Sequence, residues 1–185
     1  MFDFGVSMTG EEKVNFSITE PRFDKTTYWG RVASISASTS PKYAFKTTGQ
    51  IEAMQKLLAD QKKREQAHFQ STGSYKMQMT ADEKQRLIDA DNVVMSAVHP
   101  DTGKPLPWIM RISSFMPMNV PLNIGFILAP PTIFNTVAVQ VINQTYNATM
   151  NYGNANASSP YTTNDLMKSF MSAVVTSTTV ALAIR

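Results

Sequence analysis

Hydrophobic and polar residues are distributed unevenly along this chain, and their pattern predicts a charged region followed by a membrane region. Residues 112–164 contain no Asp, Glu, Lys, Arg or His, although they include several apolar runs. A soluble domain needs charged residues on its surface, so an uncharged stretch of this length indicates a lipid environment. We therefore predict an aqueous or interfacial region over residues 1–105 and a membrane region over residues 106–185.

Two helices are predicted in the charged region, near residues 50–69 and 81–98. The first has sparse apolar positions at helical spacing, with Thr48 as a candidate N-cap. The second is better defined, because Thr80 and Glu83 have the spacing of a capping box and the apolar residues that follow share one face.

Residues 1–47 have no comparable periodicity and are predicted to form an irregular polar arm. Its aromatic residues, such as Tyr28 and Trp29, stand among charged ones. Since Tyr and Trp are favoured at the boundary between membrane and water, this arm is suited to a membrane interface.

Two segments of the remaining chain are long and apolar enough to be predicted as membrane spans. Residues 120–142 contain 14 apolar residues and three prolines, and we expect Pro130 and Pro131 to kink or break this span. A buried core helix is the alternative. Residues 166–184 form the second span. The predicted fold class is an all-α membrane protein, in which a helical N-terminal aqueous region is followed by two transmembrane helices.

Small residues recur at every fourth position of the second span. They are Ser169, Ala173, Ser177 and Ala181. Such a face allows another helix backbone to approach closely, which predicts packing against the first span or against a helix of a partner chain. A weakly hydrophobic span without a specific neighbour is the alternative.

Polar side chains continue the helical pattern beyond the first span and form one stripe. Unpaired amide groups are costly in a bilayer, so the stripe is predicted to face protein, water or a polar ligand. The candidate substrate or helix-contact residues are Gln140, Asn143, Gln144, Tyr146, Asn147 and Asn151.

The string His99-Pro100-Asp101-Thr102-Gly103 has two interpretations. In the first, His99 and Asp101 form a polar pair for proton exchange or ligand contact. In the second, the string ends a helix and forms a turn, because Pro blocks the helix, Asp caps its own backbone and Gly supplies a positive φ. The residue types favour the turn.

Composition excludes several classes of protein. The chain has no Cys and two His, so cysteine-based metal sites are impossible and a histidine-rich metal site is not expected. Motifs for nucleotide binding, zinc proteolysis and serine hydrolysis are missing, so we predict no catalytic residue and no cofactor. The net charge of +3, with one short basic cluster at residues 62–64, does not indicate nucleic-acid binding. The N-terminus resembles neither a secretory signal nor an arginine-rich presequence, so we expect internal membrane targeting.

Several short strings together resemble the sideroflexin family of mitochondrial inner-membrane proteins, in the order in which that family carries them. The matching residues are Glu20-Pro21-Arg22, Asp24, Gly30-Arg31, His99-Pro100-Asp101-Thr102-Gly103, Arg111, Ser113, Pro117, Asn119, Asn143-Gln144, Tyr146-Asn147-Ala148, Asn151-Tyr152, Asn154 and Leu166. The resemblance implies the N-terminal part of a multi-pass inner-membrane protein, with two of the family's spans. It also implies transport of serine and other small neutral amino acids, with links to one-carbon and iron metabolism.

Two local departures accompany the resemblance. Val141 stands where family members usually have Trp, and Ala155 stands where they usually have Arg. Without that Arg, the loop between the spans has no charge for a ligand or lipid contact. The partners expected from the resemblance and the membrane pattern are membrane lipid, with cardiolipin as one candidate, and transmembrane helices of a partner chain.

Family members continue with further transmembrane helices, whereas two spans alone cannot enclose a substrate site. Three explanations stay open: a fragment of a longer protein, a split gene, or a truncated relative. Accordingly, the chain is either a transporter or half of one, or an accessory subunit of a larger membrane complex. Lys104 and Arg111 precede the first span, so the positive-inside tendency predicts residues 1–110 in the matrix and the C-terminus on the same side.

Overall fold

The computed structural model describes residues 13–155 and 162–184 of the chain. This part of the chain is mostly helical, as predicted, and it also contains a small antiparallel sheet that the all-α prediction lacked. The strands are β1 (Lys13–Phe16) and β2 (Met77–Thr80), and the helices are α1 (Tyr28–Ser38), α2 (Thr48–Thr72), α3 (Ala81–Ala97), α4 (Phe115–Leu128), α5 (Ile133–Gly153) and α6 (Thr163–Ala183).

The predicted irregular arm contains β1 and α1. Lys13 of β1 pairs with Thr80 and Phe16 pairs with Met77, so this strand depends on a partner far along the chain. Helix α1 begins where the Thr27 hydroxyl accepts a hydrogen bond from the Gly30 N–H. Residues 13–19 alternate between polar and apolar side chains, which is the pattern of a half-buried strand, and the prediction of an irregular arm missed this signal.

Helices α2 and α3 lie where the sequence predicted helices, and both begin with a capping box. At α3 the box joins Thr80 and Glu83, which confirms the prediction. At α2 it joins Thr47 and Gln50, so the prediction of Thr48 as the N-cap is wrong by one residue. The capping box determines where α2 begins, because Thr47 has a Gln three residues later and Thr48 does not.

The core of the N-terminal region lies between α2, α3 and the sheet. One buried cluster joins Leu58 of α2 and Leu87 of α3 to Met79 of β2. A second buried cluster joins Ile51, near the start of α2, to Val93, near the end of α3. Burial of these apolar side chains, at about 25 cal/mol per Å² removed from water, is the main force that holds the two helices together.

The predicted first span is not one helix. Helix α4 ends at Leu128, and α5 begins at Ile133 after a break that contains Pro130 and Pro131. The expected interruption at the prolines is therefore confirmed, and the prediction of a single span over residues 120–142 is wrong. Neither proline has an N–H to donate, and each disfavours a helical conformation at the residue before it.

The chain reverses direction at this break, so that α4 and α5 form an antiparallel hairpin. The Tyr146 hydroxyl, in the second half of α5, donates to the Ser114 carbonyl oxygen just before α4, at 3.4 Å. These two residues are equally far along the chain from Pro130, as an antiparallel pairing requires. Three successive helices thus replace the two that the sequence predicted.

Helix α6 packs against α5 and runs antiparallel to it. The end of α5 and the start of α6 line a common groove, which includes Tyr152 and Leu166. Among the described residues, α6 is the helix that is both long enough and apolar enough to cross a membrane, and it contains most of the predicted second span. The apolar helix that ends at Leu128 is shorter, so two transmembrane helices are not established.

Candidate functional site

The amide stripe consists of Gln140, Asn143, Gln144, Asn147 and Asn151, all on α5. Asn151 is exposed and the other four side chains are half-buried. Within the described residues, none of these five side chains forms a hydrogen bond with another residue. Each amide offers two donors and an acceptor, so the stripe has unused hydrogen-bonding capacity along one side of the helix.

The stripe lies away from the two grooves that flank α5. Thr145 and Thr149 line both grooves, together with apolar residues from α4 or α6, and no member of the stripe lines either one. Since each residue advances a helix by about 100°, Thr149 lies roughly 160° around the helix from Asn147. The stripe is therefore a polar surface separate from both grooves.

Tyr146 was predicted with the stripe but has a different environment. Its side chain is buried, and its hydroxyl donates to the Ser114 carbonyl oxygen. This bond joins the end of α5 to the start of α4. Tyr146 therefore holds the helical hairpin together, and its hydroxyl is already engaged.

The small-residue face of α6 is only partly covered. Ala173, Ser177 and Ala181 are half-buried, whereas Ser169 is exposed. Helix α5 is the main neighbour of α6, so the covered part of the face contributes to the α5–α6 contact. Ser177 uses its hydroxyl within the helix, where it donates to the Val174 carbonyl oxygen at 3.3 Å.

The His99–Gly103 string forms a turn, as its residue types predicted. The Gly103 N–H donates to the His99 carbonyl oxygen at 2.9 Å, and Gly103 has a φ of +66°. Pro100, Asp101 and Thr102 are exposed, and His99 is half-buried. A left-handed conformation is costly for residues with a side chain, which explains the glycine at the end of the string.

The imidazole of His99 connects this turn to the end of α5. Its Nδ1 accepts backbone N–H bonds from Asp101 and Thr102, at 3.2 and 3.4 Å. Its Nε2 lies 2.9 Å from the Ala155 carbonyl oxygen. A carbonyl oxygen can only accept, so these bonds require the tautomer with its proton on Nε2. The contact uses the main chain of Ala155, and it therefore tolerates the departure from Arg at that position.

Residues 106–114, which we call the junction, precede α4 directly and are organised by Arg111. This side chain is only 4% exposed. Its guanidinium donates to the carbonyl oxygens of Leu106, Ala44 and Lys46, at 3.0, 2.8 and 2.6 Å. Burial lowers the pKa of Arg111 from its ordinary value, but an arginine remains charged at neutral pH.

The end of α5 also binds to the junction. The Asn154 side chain donates to the Met110 carbonyl oxygen at 2.8 Å. Gly153 is buried beside Met110, and a Cβ at position 153 would lie 2.7 Å from the Met110 Cβ. Any larger residue would push the two segments apart, so a glycine is required here.

The N-terminal strings have structural roles of the same kind. Arg22 forms an ion pair with Asp91 at 3.2 Å and donates to the Asn92 side chain, which attaches the segment before α1 to α3. Gly30 lies so close to the Asp24 carbonyl oxygen that a Cβ would lie 1.8 Å from it. Several residues that carry the family resemblance therefore fix the backbone, whereas the side chains of the amide stripe do not.

Sequence reasoning missed one buried acidic residue, Glu65. Its carboxylate accepts hydrogen bonds from the backbone N–H groups of Ile18 and Thr19, at 3.0 Å each. The hydroxyl of Ser17 and the amide of Gln61 also donate to it. Burial alone would raise the pKa of Glu65, but these four donors lower it below its ordinary value.

A sequence signal for Glu65 was available in the spacing of α2. Ile51, Leu58 and Glu65 are seven residues apart, so the three share one face of the helix. The first two are buried, and the third continues their face. Elsewhere, no group of three or more His, Cys, Asp or Glu residues within the described ranges is arranged to hold a metal ion.

Known relatives match nearly the whole chain. The sideroflexin family model matches residues 17–185. A sideroflexin of Dictyostelium discoideum is 31% identical over 177 residues, which are 96% of this chain and 50% of that protein. Sideroflexin-1 of Bos taurus is 32% identical, over 96% of this chain and 51% of its own length. Human sideroflexin-5 is 27% identical, over 91% of this chain and 46% of its own length.

The chain spans about half the length of the curated relatives that it matches. No solved structure matches it. The family match is nevertheless continuous, since it begins before α1 and includes the junction, the amide stripe and α6. On this evidence, the chain belongs to the sideroflexin family.

Proposed function

We propose that this chain forms part of a carrier that moves serine, or a similar small neutral amino acid, across the mitochondrial inner membrane. Family membership supports a membrane protein, and α6 supplies a helix that is able to cross the bilayer. The serine substrate and the mitochondrial location come from the family resemblance. The amide stripe is the observation that carries the proposal.

The stripe has the chemistry that a neutral amino acid requires. Its side chains offer donors to the substrate carboxylate and acceptors to the substrate ammonium and hydroxyl groups. The stripe is uncharged, so it does not attract substrates with a net charge. Asn143 is at the middle of α5, and substrate sites of membrane carriers commonly lie near the bilayer midplane.

We also propose that the chain works with other transmembrane helices and with lipid. Large apolar side chains are exposed on all three C-terminal helices, for example Ile127, Phe134 and Val175. Exposed apolar surface of this kind must be covered by acyl chains or by helices of a partner. The half-buried part of the amide stripe would then line a path between α5 and such a neighbour.

An accessory role without transport is the second candidate. In this role the amides would hydrogen-bond to polar groups on a partner helix, and the exposed small residue Ser169 would allow a backbone to approach. The same surfaces serve both functions, so the deciding difference is whether a substrate binds.

Serine uptake by the purified native assembly tests the proposal. The chain is tagged, its assembly is isolated from its own membranes, and uptake of labelled serine is measured after reconstitution into liposomes. We expect saturable uptake of serine and none of glutamate. Asn143→Leu together with Gln144→Leu should lower uptake at least tenfold, with the mass of the assembly unchanged.

Asn123→Leu is the matched control, because it makes the same amide-to-apolar change at an exposed position on α4. It should leave uptake unchanged. An intact assembly that transports no serine would overturn the carrier proposal and favour the accessory role. Equal losses in the stripe variant and the control would overturn the assignment of the amide stripe.

A further inference from the structure

Two large aromatic side chains are exposed side by side at the junction. The rings of Phe45 and Trp108 are stacked, with their centroids 6.1 Å apart and their planes 28° from parallel. Phe45 is 71% exposed and Trp108 is 46% exposed. We call this pair the aromatic plate. Such rings bury 150–250 Å² each when covered, so leaving both in water forgoes a large hydrophobic gain.

The plate is held in place by buried polar groups. The Arg111 guanidinium donates to the carbonyl oxygens of Ala44 and Lys46, the two residues that flank Phe45. The Trp108 carbonyl oxygen accepts a hydrogen bond from the Ser114 hydroxyl, and Ser114 is buried. Hydrogen bonds therefore fix the backbone that carries both rings, and this backbone holds the rings in their exposed positions.

The plate also lies where the charged region meets the apolar helices. Trp108 is seven residues before the start of α4, whose first residues, Phe115 and Met116, are exposed and apolar. Lys46 directly follows Phe45, and Lys104 lies four residues before Trp108. Aromatic rings followed by an apolar helix and flanked by cations form the usual sequence of side chains at a membrane surface.

We propose that the aromatic plate inserts into the headgroup region of the lipid bilayer and anchors the N-terminal region to the membrane surface. The occupant is phospholipid, because α4 begins seven residues after Trp108 with exposed apolar side chains, and because lysines stand near both rings in the sequence. Trp is favoured at this depth, since its ring is apolar and its N–H stays close to water. This inference rests on the proposed membrane location, and its test separates the two.

The test uses the fact that the chain has two Trp residues, Trp29 and Trp108. The 185-residue chain is reconstituted into phosphatidylcholine vesicles whose acyl chains carry bromine near the headgroup or near the tail end. The Trp29→Phe variant reports on Trp108. A reference variant has both Trp residues changed to Phe and carries Val175→Trp, at an exposed position on α6.

We expect Trp108 to be quenched at least twofold more strongly by shallow bromine than by deep bromine. The Val175→Trp reference should show the opposite order. Adding Phe45→Ala should reduce the shallow quenching of Trp108. Phe69→Ala is the matched control, because Phe69 stacks on Tyr75 at a centroid distance of 4.3 Å in another part of the molecule, and it should have no effect.

If the reference is quenched while Trp108 is not, the aromatic plate is not in lipid and the inference is overturned, although the membrane location stands. If Trp108 is also shielded from acrylamide in that case, protein covers the plate. If the reference is not quenched either, the proposed membrane location fails as well. Equal effects of Phe45→Ala and Phe69→Ala would also contradict the inference.

Discussion

Replacing Arg111 with Lys should destabilise the protein more than any other conservative change of charge among the described residues. The guanidinium donates to three carbonyl oxygens that belong to two separate segments, residues 44–46 and Leu106. A lysine keeps the charge but has one compact ammonium group at the end of a flexible chain. It reaches one of these carbonyl groups well and leaves the other two without their donor.

The expected loss follows from the number of bonds. A hydrogen bond to a charged group contributes about 1.5–3 kcal/mol, and two are lost, which gives about 3 kcal/mol at the lower end. The buried position supports a cost of this size, because water cannot replace the missing donors. For a chain of this length, about 3 kcal/mol corresponds to a fall in melting temperature of roughly 6–12 °C.

The assay is thermal unfolding of the full chain in mild detergent, followed by circular dichroism. Arg31→Lys is the matched control, because the exposed Arg31 also donates to two backbone carbonyl oxygens, at 3.2 and 3.0 Å. It should change the melting temperature only slightly, since water replaces exposed donors. If Arg111→Lys unfolds at the same temperature as Arg31→Lys, the junction is not organised by Arg111.

Three further predictions concern pH, a turn and topology. The pKa of Glu65 is lower in the folded state than its unfolded value of about 4.3, so the carboxylate stabilises the protein above that pH and loses this effect as the pH falls through the folded pKa. The difference in melting temperature between wild type and Glu65→Gln should therefore shrink on acidification. A difference that stays constant would contradict this. Gly103→Ala should lower the free energy of unfolding by about 1–2 kcal/mol in denaturant titrations, because Gly103 has a positive φ. Gly49→Ala is the control, since a Cβ at position 49 meets open space, and it should not lower the free energy of unfolding. Equal losses would contradict the role of backbone strain at Gly103. If α4, α5 and α6 all cross the membrane, the chain crosses three times, and an epitope appended after residue 185 should be digested by protease added to the face opposite residues 13–110. Digestion from the same face as residues 13–110 would instead support two crossings.

Helices α2 and α3 were predictable because their signals are local, whereas α1 was missed in the arm that was predicted to be irregular. The capping box at Thr80 and Glu83 and the apolar positions of α2 and α3 lie within one or two turns of each other. The alternating residues of β1 were a local signal for a strand, but its pairing with β2 was not predictable, since the partner residues lie more than sixty positions away. Glu65 was missed for a similar reason, because three of its donors come from the distant segment 17–19.

The membrane region shows what hydropathy omits. The apolar content of residues 120–142 indicated a span, but hydropathy does not record whether a break at Pro130 and Pro131 bends a helix or reverses it. The Tyr146–Ser114 contact decides for reversal, and only the folded chain brings these residues together. In the sequence, Arg111 was interpreted as a cation before the first span that helps to set the membrane topology. In the structure, its side chain is buried and donates hydrogen bonds to backbone carbonyl oxygens.

The candidate site was predicted in part. The helical spacing of the amides correctly placed Gln140, Asn143, Gln144 and Asn147 on one side of α5, because the helix continues to Gly153. Tyr146 could not be separated from them by spacing alone, since its burial depends on α4. The role of His99 also needed the structure, because its contact at Ala155 lies far along the chain.

The most direct test of substrate binding by the amide stripe is whether serine protects it from chemical modification. The chain has no cysteine, so a single introduced thiol reports on one position. Asn143→Cys and, as the control, Ile142→Cys at the exposed neighbouring position are compared in the native assembly. A water-soluble thiol reagent is applied, and labelling of this chain is read by mass spectrometry. We expect the Asn143→Cys thiol to be labelled and serine to slow its labelling in a saturable way, while the Ile142→Cys thiol should not respond to serine. Labelling at position 143 that serine leaves unchanged would contradict the claim that the amide stripe binds the substrate.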